Sequence, residues 1–206
     1  MEIRLGPYRP NIDDEFGGAA TPFADIYGTG ETVMFGLEGD WQAIRIPHFG
    51  TLGPGLQASF AIFSQFALLE SDPTQRSAQP TNSWFMPLSA LAVLRIDVLA
   101  REVKVPLVPY LKFGGTMTLW ETTDGMGVAN VDGVAGQGIS TGLMGAAGLM
   151  ILLNPIAPQT ALDMDNSTGV NNAYVFGEWI VSDVSSFDQG LDTGDSTWQA
   201  GVALEF

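Results

Sequence analysis

The chain reads as all-β, an antiparallel up-and-down transmembrane β-barrel of eight strands, and three observations lead there. The first is the closing stretch, residues 197–206, which alternates without a break: Trp198, Ala200, Val202, Leu204 and Phe206 share one face, and Thr197, Gln199, Gly201, Ala203 and Glu205 the other. A strand sends successive side chains to opposite faces, so this is a ribbon with one greasy side and one small or polar side. The second is composition, with 25 glycines and 10% aromatic residues but no interval rich in Ala, Glu, Lys and Leu that would favour helices. The third is the length of the apolar runs. Residues 143–153 form one of the longest and contain glycine, falling short of the ~20 residues a spanning helix needs. A chain of this kind that crosses a membrane must close on itself, because only a closed barrel then pairs every backbone group inside lipid.

At 206 residues the chain suits a single domain, 1–206. A formal charge of -15, with only 8 Lys and Arg, excludes a nucleic-acid partner, since phosphate binding needs clustered cations. The lack of Cys excludes disulfides and thiolate chemistry, and no cofactor is expected. The start, Met1-Glu2-Ile3-Arg4-Leu5-Gly6-Pro7, is charged and broken by Gly and Pro, unlike an apolar targeting core. It reads as a mature chain behind an added initiator Met.

Taken in order, the first strand falls on residues 3–8, interrupted by Gly6 and Pro7; the alternative for residues 1–30 is a plug or a periplasmic arm. Residues 33–45 set Val33, Phe35, Leu37 and Trp41 against Glu38, Asp40 and Gln42. A short turn at 47–53 leads to a strand at 56–66 with Gln57, Ser59 and Gln65 on its inner side. Residues 70–82, with two prolines and no apolar run, read as an external loop. Residues 88–98 place Leu88, Ala90, Ala92, Leu94, Ile96 and Val98 opposite Ser89, Arg95 and Asp97, and end in a short turn at 100–105. Residues 107–120 set Leu111, Phe113 and Met117 against Tyr110, Lys112, Thr116 and Thr118. After a Gly- and Asp-rich external segment at 123–136 comes a strand at 139–153, then a longer internal connection at 154–169 with room for a helical turn. Residues 172–182 alternate Val175, Trp179 and Val181 with Tyr174, Phe176, Glu178 and Ile180, and residues 188–195 are the last external loop. Bacterial single-chain barrels take even strand numbers, so residues 3–8 count as the eighth strand.

The terminal pattern, with Phe206 preceded by apolar residues at every second position, resembles the C-terminal signal read by the outer-membrane assembly machinery. That resemblance makes Trp198, Val202, Leu204 and Phe206 an assembly signal and sets the end of the last strand in the periplasm. Three further stretches extend it: residues 6–13 (Gly6-Pro7-Tyr8-Arg9-Pro10-Asn11-Ile12-Asp13), residues 105–112 (Val105-Pro106-Leu107-Val108-Pro109-Tyr110-Leu111-Lys112), and Asp195-Ser196-Thr197-Trp198 with Leu204-Glu205-Phe206. Together they resemble small outer-membrane β-barrel proteins of myxobacteria and related deltaproteobacteria. The resemblance implies a Gram-negative outer-membrane barrel without an assigned activity, so no catalytic residue carries over. Some barrels of myxobacteria belong to gliding-motility machinery, which implies an envelope protein partner.

Among candidate sites the inward charges Glu38, Asp40, Arg95, Asp97, Lys112 and Glu178 form the best constellation. An eight-stranded barrel is just wide enough for side chains to fill, so such charges must pair with one another; the competing reading is a gated narrow pore. Lipid A deacylase and acyltransferase barrels share the architecture and resemble sites with a His beside Ser and an acid at the outer rim. The single histidine, His48, falls in an internal turn instead, so no enzymatic activity is expected. Residues 163–169 have oxygens at alternate positions like a calcium loop, but Thr168 and Tyr174 stand where Gly and Glu would be needed. A solvated turn is the better reading, and no metal is expected. The external segments carry Asp13, Asp14, Glu15, Asp25, Glu31, Glu70, Asp72, Asp124, Asp132, Asp188, Asp192 and Asp195 against Arg9 and Arg76, while Arg45, Arg101 and Lys104 lie at the internal turns. Such a rim needs divalent cations or a basic partner to sit beside lipopolysaccharide. The function expected is a scaffold, adhesin or envelope-complex subunit in contact with outer-membrane lipid; the alternative is a narrow channel for small or apolar solutes.

Overall fold

The computed structural model of the chain describes residues 1–69, 72–124, 127–131, 133–186 and 190–206. Eight strands make the wall: β1 (Glu2–Tyr8), β2 (Thr32–Asp40), β3 (Gly50–Leu69), β4 (Asp72–Arg95), β5 (Leu107–Asp124), β6 (Gln137–Leu152), β7 (Asn172–Asp183) and β8 (Asp195–Glu205). Each pairs antiparallel with its neighbour in sequence, and β8 returns to β1, so the sheet closes on itself. Closure leaves no bare sheet edge along the wall. Among the described residues no helix is long and apolar enough to cross a membrane.

Alternation then decides which way each side chain goes. Arg4, Lys112, Thr118, Glu178 and Gln199 point in and are buried, while Phe35, Leu56, Phe113, Trp179 and Val202 point out. One end of the barrel carries both chain termini and the connections at 41–49, 96–106 and 153–171; the other carries residues 9–31, the β3–β4 tip and the connections leading into β6 and β8.

Three segments depart from the alternation pattern of the sequence. The strand expected over 33–45 is two pieces, because β2 stops at Asp40 and Ile44–Ile46 turns back to lie against β3, Ile46 opposite Gly50. At the break the Trp41 N–H donates to the Pro54 carbonyl (2.9 Å). The chains crowd there so closely that a Cβ on Gly53 would lie 1.7 Å from the Trp41 oxygen, a place only glycine fills. The second departure is larger. Residues 72–82 belong to β4 rather than to a loop, and β3 and β4 form a hairpin that outreaches every other strand pair. Its prolines argue against a strand, but Pro80 lies opposite Phe66, beyond Asn82, where β5 parts from β4. An unpaired edge tolerates a residue with no N–H to donate.

The third is α3 (Pro158–Thr168), one of three α-helices among the described residues, with α1 (Pro22–Tyr27) and α2 (Val98–Arg101); a 3-10 helix also spans Asn11–Phe16. Gly169 closes α3 in the left-handed region, at φ 73°. The Ser167 and Thr168 hydroxyls donate back to the carbonyls of Asp163 (2.5 Å) and Met164 (2.7 Å). A helix turns about 100° per residue, so the alternate oxygens of residues 163–168 fan apart: this is neither a calcium loop nor a solvated turn.

Residues 9–31 fold back over the mouth opposite the termini. The Asp13 carboxylate accepts the N–H groups of Phe23 (2.8 Å) and Ala24 (3.1 Å) at the start of α1 and pairs with Arg9 (2.7 Å). That turns Ile12, Phe23 and Tyr27 inward onto Tyr8, Met34, Phe63 and Phe85, an aromatic layer that caps the interior. The Tyr27 hydroxyl reaches Ser83 Oγ at 2.7 Å.

Candidate functional site

Below that layer the barrel interior is charged. β1 contributes Glu2 and Arg4, β2 Glu38 and Asp40, β4 Arg95, β5 Lys112 and β7 Glu178, and all of them lean into one cluster. The register makes this inevitable: Glu2 stands opposite Glu38 and Glu38 opposite Gln57, so three adjacent strands present polar groups at one height. Arg4 is the centre. Its guanidinium donates to Glu2, Glu38 and Glu178 and, at 3.2 Å, to Gln57 Oε1. Lys112 Nζ donates to Glu2 (2.8 Å) and Glu38 (2.9 Å) and lies 3.5 Å from Glu178. Arg95 joins Asp40 to Glu2, the latter at 3.1 Å. The Tyr110 hydroxyl completes Glu178 at 2.9 Å, and the Phe176 ring lies beneath Arg4 and Lys112.

The side chains of Glu2, Arg4, Glu38, Lys112 and Glu178 are 0% exposed. Charges so far from water are tolerated only when each finds a partner. Oxygens of Glu2, Glu38 and Asp40 come within 4.8 Å of one another, close enough for a metal ion. Arg4, Arg95 and Lys112 already sit among those oxygens, and a divalent ion would be repelled by all three.

Of the six interior charges named from the sequence, Glu38, Asp40, Arg95, Lys112 and Glu178 meet here. Asp97 does not. β4 ends at Arg95, so Asp97 leaves the alternation and precedes α2, where it takes both guanidinium nitrogens of Arg45 (2.7 and 2.8 Å) at the rim. Glu2 and Arg4 were not among the six, although the run Glu2-Ile3-Arg4-Leu5 carries the signal: charges at even positions and apolar residues between them. The prolyl and glycyl break that follows obscures a strand only Glu2–Tyr8 long.

The remaining candidates lie apart. Trp198, Val202 and Phe206 are on the outer surface, and Leu204 is half-buried. His48 sits in an exposed turn at the termini end, its Nδ1 2.8 Å from Glu102. Several acids of the opposite mouth already have partners: Asp13 caps α1, Glu15 accepts the Asp192 N–H, and Asp195 accepts the Arg9 N–H (3.2 Å). Glu70, Asp132, Asp188 and the side chains of Asp72 and Arg76 lie outside the described residues.

Between the charges and the aromatic layer lies a chamber of about 40 Å³, bounded by Gln57, Ser59, Ser89, Thr116, Thr118 and Gln199 among others. The charge cluster and the aromatic layer thus block the axis; Met34, Met144, Ile180 and Val184 also line the small gap between them, and a hollow of about 330 Å³ opens at the termini end beside Asp40, Gln42, Arg95 and Glu205.

No family model and no curated protein matches the chain. Among solved structures it is similar to the outer membrane enzyme PagL, at 11% identity and a TM-score of 0.50 over 98% of this chain and 97% of that one. It also aligns with Ail, the attachment invasion locus protein of Yersinia pestis, at 14% identity and a TM-score of 0.45, covering 100% of this chain and 97% of that one. A second structure of Ail, in complex with the heparin analogue sucrose octasulfate, aligns at 13% identity and a TM-score of 0.44 over the same shares, 100% and 97%. At these identities the likeness concerns the fold: an eight-stranded barrel of the outer-membrane kind.

Proposed function

We propose that the chain resides in a bacterial outer membrane as a non-enzymatic barrel with a closed interior and a working surface outside it, as scaffold, adhesin or subunit of an envelope complex. The observation that carries this reading is the blocked interior, in which the buried charge cluster and the aromatic layer follow one another along the axis. The outward face supports the membrane location: Val33, Phe35, Leu56, Phe60, Phe113, Ile139, Trp179 and Trp198 are all exposed there. A patch of that size on a monomer marks a lipid or protein interface. His48 lies beside Glu102 at the termini end, which favours a structural role for the single imidazole.

In this reading the β3–β4 hairpin and the acids of the same mouth face outward, toward lipopolysaccharide bridged by divalent cations or toward a basic envelope protein. Arg45, Arg101 and Lys104 face the periplasm. Reconstitution into planar bilayers tests the closed interior: stable unitary openings at neutral pH would replace the scaffold with a narrow channel, whereas a silent bilayer is the expected result. Labelling of intact cells at Gln79 tests the orientation, since accessibility from the periplasm alone would invert it.

A further inference from the structure

We propose that the hollow at the termini end is a binding site for one small zwitterion with a carboxylate and an ammonium side by side, an α-amino acid with an apolar side chain. The hollow holds about 330 Å³, within the ~300–1,000 Å³ of ligand pockets. One donor lines it with hydrogens to spare. Arg95 is 7% exposed, and its bonds to Asp40 and to Glu2 (3.1 Å) both leave from Nη2. Its Nε is buried without a partner, a costly state for a donor. A guanidinium carries five N–H groups in a fixed fork that matches a carboxylate. Asp40 and Glu2 hold that fork in place.

A free acceptor lines the same hollow. Glu205 accepts from Asn172 Nδ2 (3.1 Å) and from the Tyr174 hydroxyl (2.9 Å), and both bonds end on Oε2, which leaves Oε1 for a ligand. Glu205 lies close enough to Arg95 for the two charges to act on each other. Asp40, by contrast, is taken on both oxygens, by Gln42 Nε2 (2.6 Å) and by Arg95, and the Met1 ammonium donates to the Leu204 carbonyl (2.8 Å). A plain anion on Arg95 would have Asp40 and Glu205 for neighbours, and a plain cation on Glu205 would face Arg95. A molecule that carries both charges satisfies the two free groups at once. Trp41, Leu204 and Phe206 supply the apolar part of the lining, a surface for the ligand's side chain.

The test is calorimetric titration of the full chain, purified in detergent, with three probes of one shape: L-leucine, L-leucinamide, which keeps the ammonium alone, and 4-methylpentanoate, which keeps the carboxylate alone. Leucine is expected to bind, and each single-charge probe to bind at least about tenfold more weakly, the loss of one charge-assisted hydrogen bond. Glu205→Gln keeps an oxygen for Asn172 and Tyr174 and removes the charge that holds the ammonium; in it leucine and 4-methylpentanoate should bind alike. No heat with leucine overturns the proposal, as does leucinamide or 4-methylpentanoate matching leucine, or an undiminished leucine affinity in Glu205→Gln. Where that variant does not fold, the three probes on the wild-type chain decide. In the orientation proposed above the ligand enters from the periplasm; titration in detergent reads the site whichever way the barrel points, so its failure is distinct from an inverted orientation.

Discussion

Arg4 is one residue on which three buried carboxylates depend, so its loss is expected to exceed that of any neighbour. Arg4→Ala leaves Glu2, Glu38 and Glu178 with Lys112 as their shared cation, and breaking a buried pair in this way costs about 3 to 5 kcal/mol. Arg95→Ala should cost less, because Asp40 keeps the Gln42 amide at 2.6 Å and Glu2 keeps Arg4 and Lys112. Urea unfolding of the two variants in detergent gives the order directly; equal losses would move the centre of the cluster away from Arg4. Most of this cluster was legible from alternation, which needs only parity. Parity held for Glu38, Asp40, Arg95, Lys112 and Glu178, and it failed for Asp97 because a strand's end cannot be read from the residues that would continue its pattern. The centre itself stayed hidden for the opposite reason, since β1 is so short that Gly6 and Pro7 outweigh the alternation of the four residues before them.

At the scale of elements, the segment over the mouth has a pH dependence of its own. Burial raises the Tyr27 phenol above its ordinary value of 10.0, with the Ser83 hydrogen bond working against the rise. The docked phenol thus holds its proton more tightly than the undocked one. Docking is fully present below pH 10 and weakens as the pH climbs from there through the raised value. Trp120 packs against the same aromatic layer; its emission, in a barrel with Phe at the other four of the 5 tryptophans, should shift above pH 10, and Tyr27→Phe should remove the shift. An identical transition in Tyr27→Phe would assign it to another group. Elements were least legible where local chemistry and tertiary pairing disagree. Pro73 and Pro80 signal a loop, but two long strands already zipped from Thr51 and Arg95 upward carry them along in the ladder. Residues 158–168 lack strong apolar periodicity, and α3 shows itself only through its first-turn proline and its closing Gly169.

For the whole molecule, the fold was the most legible property, because every strand repeats one rule and the closing ribbon obeys it without exception. The terminal residues carry a separate prediction. Phe206 is exposed and beyond the last pairing of β8, so its deletion should lower the yield of assembled barrel in cells while refolding into detergent stays close to the wild-type level. Parallel losses in both assays would make Phe206 a stability residue instead. Closure itself is uneven around the wall. β5 and β6 are in register from Leu107 to Glu121 against Gln137 to Ile151, but the β1–β8 ladder runs over Glu2–Leu5 and Ala200–Ala203, extended by Met1 and Leu204, whose N–H and carbonyl groups exchange two hydrogen bonds of 2.8 Å. Beyond that, a Cβ on Gly6 would strike the Trp198 carbonyl, and Pro7 has no N–H to give. The two ends of the polypeptide therefore share the narrowest stretch of zipper in the circumference. Under strain this seam is expected to part first, so a spreading bilayer or a neighbouring barrel would unroll the sheet between β1 and β8.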